Sequence, residues 1–468
     1  MPLILGTNSI KDTGFNIDDS CRFNSGDSAK MGKTFSSDSN SRTTWTVSAW
    51  LKRSKLGTAQ DVVAAFRSTD GKQSDIIRFE SDDELAYWGT HTNGAPNANL
   101  NTSRKFRDTN AWYHICVRVD TTQGTAADRV RIYVNGTQET SFSTETYPAQ
   151  NGETIWGVST NVEHTIGSIS TSNYFDGYLA EVVYLDGQSA APTSFGEFDE
   201  DSPTIWKPIN VSGLRFGNNS FYLEFADSGD LGDDESGNGN DFSETNLAAT
   251  DQSSDSPTNN WCTMNPLSCV DTTDLDENNL QIRLETQDDS IMSTIAVSKG
   301  KWYWEEKRVT QGARGYTGVC DYAAPEMGGN AGRDASTEWA IMVDHNGETS
   351  GSGVTVNSHV KGSAPSDNDI FTYAFDADNG QVWVGVNANV DISGTANVTG
   401  LATGVPYFFF FEESGGGDSD ETVLEMNFGN PINSISSGNS DGKGYGNFEF
   451  APPSGYYAIN TKNLAEYG

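Results

Sequence analysis

Apolar and polar side chains alternate with a period of two along much of the chain. The segments "WTVSAWLKR" (45–53), "AWYHICVRVD" (111–120) and "RVRIYVNG" (129–136) place an apolar residue at every second position. Turn residues such as Gly, Asn and Asp separate such runs, and no stretch shows a sustained helical period with caps. The pattern predicts an all-β protein built from sandwiches of short strands.

One strand-and-turn signal occurs twice. "ADRVRIYVNGTQET" (127–140) and "NGQVWVGVNANVDI" (379–392) each end a β-rich run at Val-Asn, with Asn135 in the first and Asn387 in the second. The pair Asn135-Gly136 favours a type I′ hairpin, since both central residues must accept positive φ. The recurrence indicates two consecutive β-sandwiches.

The sequence predicts five regions. Residues 1–20 form an extended docking arm, 21–200 the first sandwich, and 201–214 a connector that contains Pro203 and Pro208. The second sandwich spans 215–468, opens with an acidic Gly/Asp-rich loop (215–268) and ends in a C-terminal tail (445–468).

The net charge limits the partners. The 468 residues include 29 basic and 65 acidic side chains, a formal charge of −36. A nucleic-acid partner requires the opposite sign, and an anionic membrane surface repels such a chain. Apolar runs such as "VPYFFFF" are too short to span a bilayer. Solubility and a saline working environment both account for the acidic balance.

The cysteines favour free thiols. Their number is odd and no CxxC pair occurs; they are Cys21, Cys116, Cys262, Cys269 and Cys320. We expect small apolar core residues made in a reducing compartment. The start, "MPLILGTNSIKDTG", has too short an apolar run for a signal peptide, so we expect synthesis in the cytoplasm.

No catalytic constellation is predicted. Retaining glycoside hydrolysis needs two carboxylates about 5 Å apart, and "GEFDEDSP" (196–203) has no strand pattern around its acids. In "YWEEKR" (303–308), the adjacent Glu305 and Glu306 are predicted to face opposite sides of a strand. The five histidines show no metal-binding spacing. We expect that the protein is not an enzyme.

The segment "DSGDLGDDESGNGND" (227–241) is the candidate calcium site, because Ca²⁺ prefers hard oxygen ligands in flexible loops. An EF-hand match fails, since its twelfth position is Thr245. A solvated acidic loop is the alternative. The candidate ligands are Asp227, Asp230, Asp233, Asp234, Asn238 and Asp241.

Aromatic and polar residues in loop-like segments are candidates for sugar binding, with core packing of the rings as the alternative. In the first sandwich they are Tyr87, Trp88, Trp156, Tyr174 and Asp176. In the second they are Tyr316, Asp321 and Tyr322.

Several motifs resemble known families. "WTVSAWLKR", "AWYHICVRVD", "VRIYVNGT" and "IGSISTSNYFDGYLAEVVYLDGQ" resemble the laminin-G-like, concanavalin A-like lectin/glucanase superfamily over residues 20–190. "GKWYWEEKRV", "FTYAFDADNGQVWVGVN" and "TVLEMNFGNP" are similar to SPRY domains over 295–430. These resemblances imply a concanavalin A-like jelly-roll sandwich in each half.

The segments "LILGTNSIKDTGF", "SPTNNWCTMNPL" and "FAPPSGYYAINTKNL" resemble virion-associated proteins of tailed, often marine, bacteriophages. The resemblance implies a fibre or capsid-surface protein that docks on other virion proteins and presents its sandwiches to host-surface glycans. A homo-oligomer is expected, a trimer by analogy with phage fibres. The alternative is a purely structural capsid decoration protein; a glycoside hydrolase is a third, weaker one.

Overall fold

The computed structural model of the protein describes residues 14–67, 73–90, 97–269, 275–284, 289–312, 315–321, 338–361, 363–413 and 421–468. These residues are nearly all β and form two compact units that divide between Thr258 and Asn259. Each unit contains two large antiparallel sheets with an apolar core. The predicted all-β fold with two consecutive sandwiches is confirmed.

The first sandwich packs two large sheets around a core that contains Trp45, Tyr87 and Trp156. Its strands are β1 (Ser20–Phe23), β2 (Lys30–Lys33), β3 (Thr44–Arg53), β4 (Gln60–Arg67), β5 (Ser74–Phe79), β6 (Glu84–Thr90), β7 (Ala98–Lys105), β8 (Trp112–Asp120), β9 (Val130–Val134), β10 (Thr137–Gln138), β11 (Phe142–Thr146), β12 (Val162–Ile166), β13 (Gly177–Asp186), β14 (Gly196–Phe198), β15 (Trp206–Pro208), β16 (Phe221–Leu223), β17 (Ser243–Thr245) and β18 (Gln252–Ser253).

The first sheet has the strand order β10-β9-β8-β3-β13-β1-β18, with β16 beside β13. The second sheet has the order β11-β7-β6-β5-β4-β12-β2-β17, and β14 and β15 form a separate pair.

The first sandwich extends well beyond its predicted end. The predicted connector 201–214 contains β15, which pairs with β14. The acidic segment assigned to the second domain supplies β16, β17 and β18, which pair with β13, β2 and β1. The predicted connector and the start of the second domain at 215 are therefore wrong, because strands of two or three residues leave no alternating pattern in the sequence.

Residues 14–20 pack against the end of the first sandwich. Ile17 is buried, its backbone N donates to Thr258 Oγ1 at 3.0 Å, and its carbonyl oxygen accepts from Ser256 Oγ at 2.6 Å. The prediction of a free arm is wrong for these residues, since their backbone groups are bonded within the sandwich. Residues 1–13 lie outside the described residues, so docking by them stays a prediction.

The second sandwich pairs a larger sheet, β19-β20-β31-β22-β27-β28-β29-β26, with a smaller one, β21-β30-β23-β24-β25. Its strands are β19 (Leu275–Asp276), β20 (Gln281–Leu284), β21 (Asp289–Val297), β22 (Lys301–Thr310), β23 (Gly315–Cys320), β24 (Trp339–Val343), β25 (Ser350–Ser352), β26 (Thr355–Val356), β27 (Ile370–Asp376), β28 (Gln381–Val386), β29 (Val398–Thr399), β30 (Tyr407–Glu413) and β31 (Thr422–Asn427). The α-helix in the described part of the chain is α1 (Thr461–Tyr467), and short 3₁₀ turns occupy Ala126–Asp128, Pro192–Ser194, Ala249–Asp251, Pro266–Ser268 and Glu277–Asn279.

The C-terminal segment is part of the second sandwich rather than a tail. Phe448 and Ile459 are fully buried, and the backbone N–H of Tyr457 donates to the carbonyl oxygen of Lys301 on β22. The prediction of a tail at 445–468 is therefore corrected. This segment covers one end of the outer face of the larger sheet, where Phe448 packs edge-on against Tyr303.

The repeated Val-Asn signal builds the same turn in both sandwiches. The backbone N–H of Asn135 donates to the carbonyl oxygen of His114 at 2.9 Å, and Asn135 Oδ1 accepts from the backbone N–H of His114 at 2.8 Å. Asn387 forms the same two bonds with Ile370, both at 2.8 Å. Both asparagines have positive φ, which Asn tolerates better than most residues. Gly136 also has positive φ, as a type I′ turn requires.

The five cysteines are buried free thiols, as predicted. Burial raises the pKa of the Cys116 thiol to about 12, which keeps it protonated and unreactive. In the described residues, no helix is both long and apolar enough to cross a membrane.

Candidate functional site

The outer face of the second sheet of the first sandwich carries an unusual set of polar side chains. Strand alternation directs Leu85 and Tyr87 of β6 into the core, so Trp88 lies on the opposite face. The strand register places Trp88 opposite Asn99 of β7. Arg78 of β5 lies diagonally next to Trp88 and directly opposite Asp61 of β4. We call Asp61, Arg78, Trp88, Asn99 and Asn101 the Trp88 face.

Arg78 connects the two ends of the Trp88 face. Its guanidinium carbon lies 5.3 Å from the centroid of the Trp88 ring, within the range of a cation–π contact. Its Nε lies 3.2 Å from Asp61 Oδ1 and 3.5 Å from Glu80 Oε1. Arg78 is buried between the carboxylates of Asp61 and Glu80 and the Trp88 ring. These contacts hold its planar guanidinium group beside the Trp88 indole.

Burial raises the pKa of Asp61 to about 6, although the charge of Arg78 opposes this shift. The backbone N–H of Asp61 donates to the carbonyl oxygen of Asn173, and a bridge aligns Asp61 with Tyr174. The half-buried Tyr174 therefore lies near the same ion pair as Trp88. These two predicted residues belong to one surface region.

Besides the ion-paired groups of Asp61 and Arg78, three polar atoms of the Trp88 face are buried without a hydrogen-bond partner among the described residues. They are Trp88 Nε1, Asn99 Oδ1 and Asn101 Oδ1. A buried polar atom without a partner costs about 1–3 kcal/mol, so such groups are rare in native folds. Their side chains are half-buried rather than enclosed. The face thus combines one donor and two acceptors with a flat ring.

Two predicted binding residues belong to the core instead. Tyr87 is fully buried, and its hydroxyl donates to Asp75 Oδ1 at 2.6 Å. Trp156 is also fully buried and stacks on Tyr184 with ring centroids 5.1 Å apart. Their assignment to a binding surface is wrong. For Tyr87 the reason is strand alternation, since its neighbour Trp88 takes the outer face.

Two of the remaining predicted residues form hydrogen bonds with other segments of their own sandwich. Asp176 accepts hydrogen bonds from the backbone N–H and hydroxyl of Ser25 at 3.1 and 2.6 Å. In the second sandwich, buried Asp321 accepts from the backbone N–H of Glu338 at 2.8 Å. Both carboxylates thus anchor other segments of their own sandwich, and their role in sugar binding stays a prediction. Half-buried Tyr316 contacts the edge of the His345 ring, and Tyr322 lies outside the described residues.

The acidic loop is held together by its own hydrogen bonds. The buried Asp234 carboxylate accepts from the backbone N–H groups of Tyr222 and Asn240 at 2.9 and 2.8 Å, and from Ser236 Oγ at 2.8 Å. The Asn238 amide donates to backbone carbonyls. Across the described ranges, no three His, Cys, Asp or Glu side chains are placed to hold a metal ion. These bonds favour the alternative of a solvated acidic loop, and the calcium site at Asp227, Asp230, Asp233, Asp234, Asn238 and Asp241 stays a prediction.

The sequence reasoning missed Asp61, Arg78, Asn99 and Asn101. A usable signal was present for the first two, because each is a charged residue directly beside an apolar run, in "QDVVAAFR" and "SDIIRFE". Only the strand register shows that they face each other.

Residues 25–190, about a third of the chain, match the Laminin_G_3 family, described as the concanavalin A-like lectin/glucanases superfamily. Laminin G domains 4–5 of the mouse laminin α1 chain are 9% identical to this chain, over 89% of this chain and 92% of theirs, with a TM-score of 0.31. The SPRY domain of human HERC1 is 10% identical over 35% of this chain and 96% of its own length, with a TM-score of 0.26. A putative carbohydrate binding protein from Bacteroides ovatus is 16% identical over 49% of this chain and 59% of its own, with a TM-score of 0.31.

Comparison with curated proteins finds no match. The strand alternation and the two-sheet core agree with the family match over residues 25–190. Residues 25–190 of the first sandwich are therefore similar to the Laminin_G_3 family of the concanavalin A-like lectin/glucanases superfamily.

Proposed function

We propose that the Trp88 face binds a carbohydrate. The observation that carries the proposal is a half-buried indole with three polar atoms that have no partner among the described residues, in a segment that matches a lectin superfamily. A sugar presents an apolar ring face that packs on an aromatic ring, and hydroxyls that both donate and accept hydrogen bonds. Rotation of these half-buried side chains would present Trp88 Nε1 as a donor for such hydroxyls, and the oxygens of Asn99 and Asn101 as acceptors.

The proposed activity is binding rather than hydrolysis. The adjacent carboxylates of Glu305 and Glu306 face opposite sides of β22, as predicted: Glu306 pairs with Arg308 at 2.6 Å, while Glu305 accepts from the backbone N–H of Phe450 at 2.7 Å. These two acids do not flank one substrate bond. We propose no cofactor for the binding reaction.

We further infer, from the resemblance of segments along the whole chain to tailed-phage proteins, that the protein is a fibre or capsid-surface component of a virion. In this proposal it is made in the cytoplasm of the host bacterium, docks on other virion proteins and contacts neither nucleic acid nor membrane. A single shallow sugar site binds weakly, and several copies on one particle, for instance as trimers, provide useful avidity. A purely structural decoration protein is the competing function.

Replacing Trp88 with Ala is expected to lower the affinity for the bound glycan about tenfold, equivalent to ~1.4 kcal/mol. The ring provides the stacking surface and Nε1 the hydrogen-bond donor, so both contributions disappear together. A glycan array with the purified protein identifies the sugar, and calorimetry measures its affinity. Tyr174→Ala is expected to weaken binding less, because Tyr174 lies at the edge of the face.

Phe198→Ala is the matched control, because this exposed ring of the first sandwich lies on the separate β14–β15 pair. It is expected to bind like the parent protein. Unchanged affinity in folded Trp88→Ala, or an equal loss in Phe198→Ala, contradicts the proposed site.

Antibody labelling of purified particles in the electron microscope tests the proposed location. We expect label at the surface of the head or at the tail fibres, since both binding and decoration require an outward position. Absence of the protein from purified particles contradicts the virion proposal without affecting the sugar site.

A further inference from the structure

A groove of about 350 Å³ lies on the second sandwich, on the face of its larger sheet opposite the core. Cross-strand neighbours form its floor, since Lys307 of β22 lies between Glu425 of β31 and Ile370 of β27. The segment 431–436 forms one wall. The C-terminal segment covers only the adjoining part of the sheet around Tyr303, so the groove lies where this cover ends.

Two carboxylates of the groove are already bonded within the protein. Glu305 accepts from the backbone N–H groups of Phe450 and Glu449 at 2.7 and 3.0 Å, and from the Tyr303 hydroxyl at 2.9 Å. Glu449 accepts from the backbone N–H of Ser436 at 3.0 Å. These bonds fix the shape of the groove.

The third carboxylate forms a different kind of contact. Lys307 Nζ lies 3.3 Å from Glu425 Oε2, and the Lys307 side chain remains 35% exposed. An ammonium group has three N–H donors and a carboxylate has two oxygens. This single long contact therefore leaves donors and an acceptor side by side on the floor of the groove.

We propose that this groove binds one neutral hexose unit as a second sugar site of the protein. A vicinal diol matches the floor, because one hydroxyl accepts from Lys307 while its neighbour donates to Glu425. Ile432 and Ile435 of the wall provide an apolar surface for the C–H face of the ring. The volume is near the lower end for ligand pockets, which suits a ring of this size.

Charge selects against acidic sugars. Glu305, Glu425 and Glu449 outnumber Lys307 among the charged residues that line the groove. A uronic acid brings a further negative charge to this surface, and like charges in a partly buried site repel each other. The groove is thus specific for neutral rather than anionic units.

Because this site deepens the proposed function and rests on it, the test uses the full-length protein with Trp88→Ala as its background. Methyl glycosides of glucose, galactose and mannose, and of glucuronic acid, are titrated by saturation-transfer NMR. We expect binding of at least one neutral glycoside, and a loss of affinity of about tenfold in both Lys307→Met and Glu425→Gln. A partly exposed ion pair contributes little to stability, so both variants are expected to fold.

Lys301→Met is the matched control. Lys301 lies on the same strand and pairs with Asp376 at 2.8 Å, but it does not line the groove. Its affinity for the glycoside is expected to equal that of the background protein.

The outcomes separate the two sites. Binding that persists in Lys307→Met and Glu425→Gln, or a preference for the glucuronide, overturns the groove. Binding by the parent that Trp88→Ala abolishes also overturns the groove and leaves the proposed function intact. Glycoside binding in the Trp88→Ala background that is lost in Lys307→Met supports the groove, while the Trp88 face is tested separately by the glycan affinity of the Trp88→Ala and Phe198→Ala variants.

Discussion

Replacing Asp255 with Ala is expected to destabilise the first sandwich by about 3–5 kcal/mol. Asp255 Oδ2 lies 2.7 Å from Lys52 Nζ, and both side chains are almost completely buried. Asp255 Oδ1 also accepts from Trp112 Nε1 at 2.9 Å. Without the carboxylate, a buried ammonium group loses the charge that compensates it, and desolvation of such a charge is costly.

Hydrogen exchange measured by mass spectrometry reads each sandwich separately in the intact chain. We expect faster exchange in peptides from β3 and β8 of the Asp255→Ala variant, and unchanged exchange in the second sandwich. Glu153→Ala is the control, because the Arg42–Glu153 contact has the same 2.7 Å separation but is exposed. Such surface pairs contribute at most about 1 kcal/mol. Equal effects of the two substitutions contradict the importance of burial.

The same contact explains why the domain boundary was not predictable from the sequence. Asp255 lies in the segment assigned to the second domain, yet its carboxylate pairs with Lys52 on a central strand of the first sandwich. The local pattern around "SSDSPTNN" does not indicate that Asp255 pairs with Lys52, about 200 residues earlier in the chain. A fragment that ends at residue 200 lacks this partner.

The repeated turns were predictable because their chemistry is local. Asn135 and Asn387 each bond to the neighbouring strand through their own backbone and side-chain amide groups. Both turns need a residue with positive φ, and asparagine is a residue type that tolerates it. Strand alternation is equally local, which explains why the all-β fold and the opposite orientations of Glu305 and Glu306 followed from the sequence.

The candidate binding face was only partly predictable. Trp88 and Tyr174 were found by residue type, but residue type also selected Tyr87, which strand alternation sends into the core. Asp61 and Arg78 meet through strand register, and register depends on contacts between distant segments. Pattern reasoning therefore finds the surface aromatic residues but not the ion pair that positions them.

Replacing Glu306 with Leu is expected to cost the second sandwich about 3–5 kcal/mol. Glu306 Oε1 lies 2.6 Å from Arg308 Nε, and both side chains are fully buried. The Tyr373 hydroxyl donates to Glu306 Oε2 at 2.8 Å, and the Arg308 guanidinium donates to Thr317 Oγ1 at 3.2 Å. Loss of the carboxylate leaves the guanidinium charge in the core and removes the acceptor of the Tyr373 hydroxyl.

The double variant Glu306→Leu, Arg308→Met separates the cost of an unpaired charge from the loss of the contact itself. Both charges leave the core together, so we expect much of the stability to return, with exchange rates in β22 and β27 closer to those of the parent. Glu421→Gln, which breaks the partly exposed pair with Arg283, controls for the removal of any carboxylate and is expected to change stability by less than about 1 kcal/mol. If the double variant is as unstable as the sum of its single substitutions, the two charges are not energetically coupled, and the explanation by an unpaired buried charge is wrong.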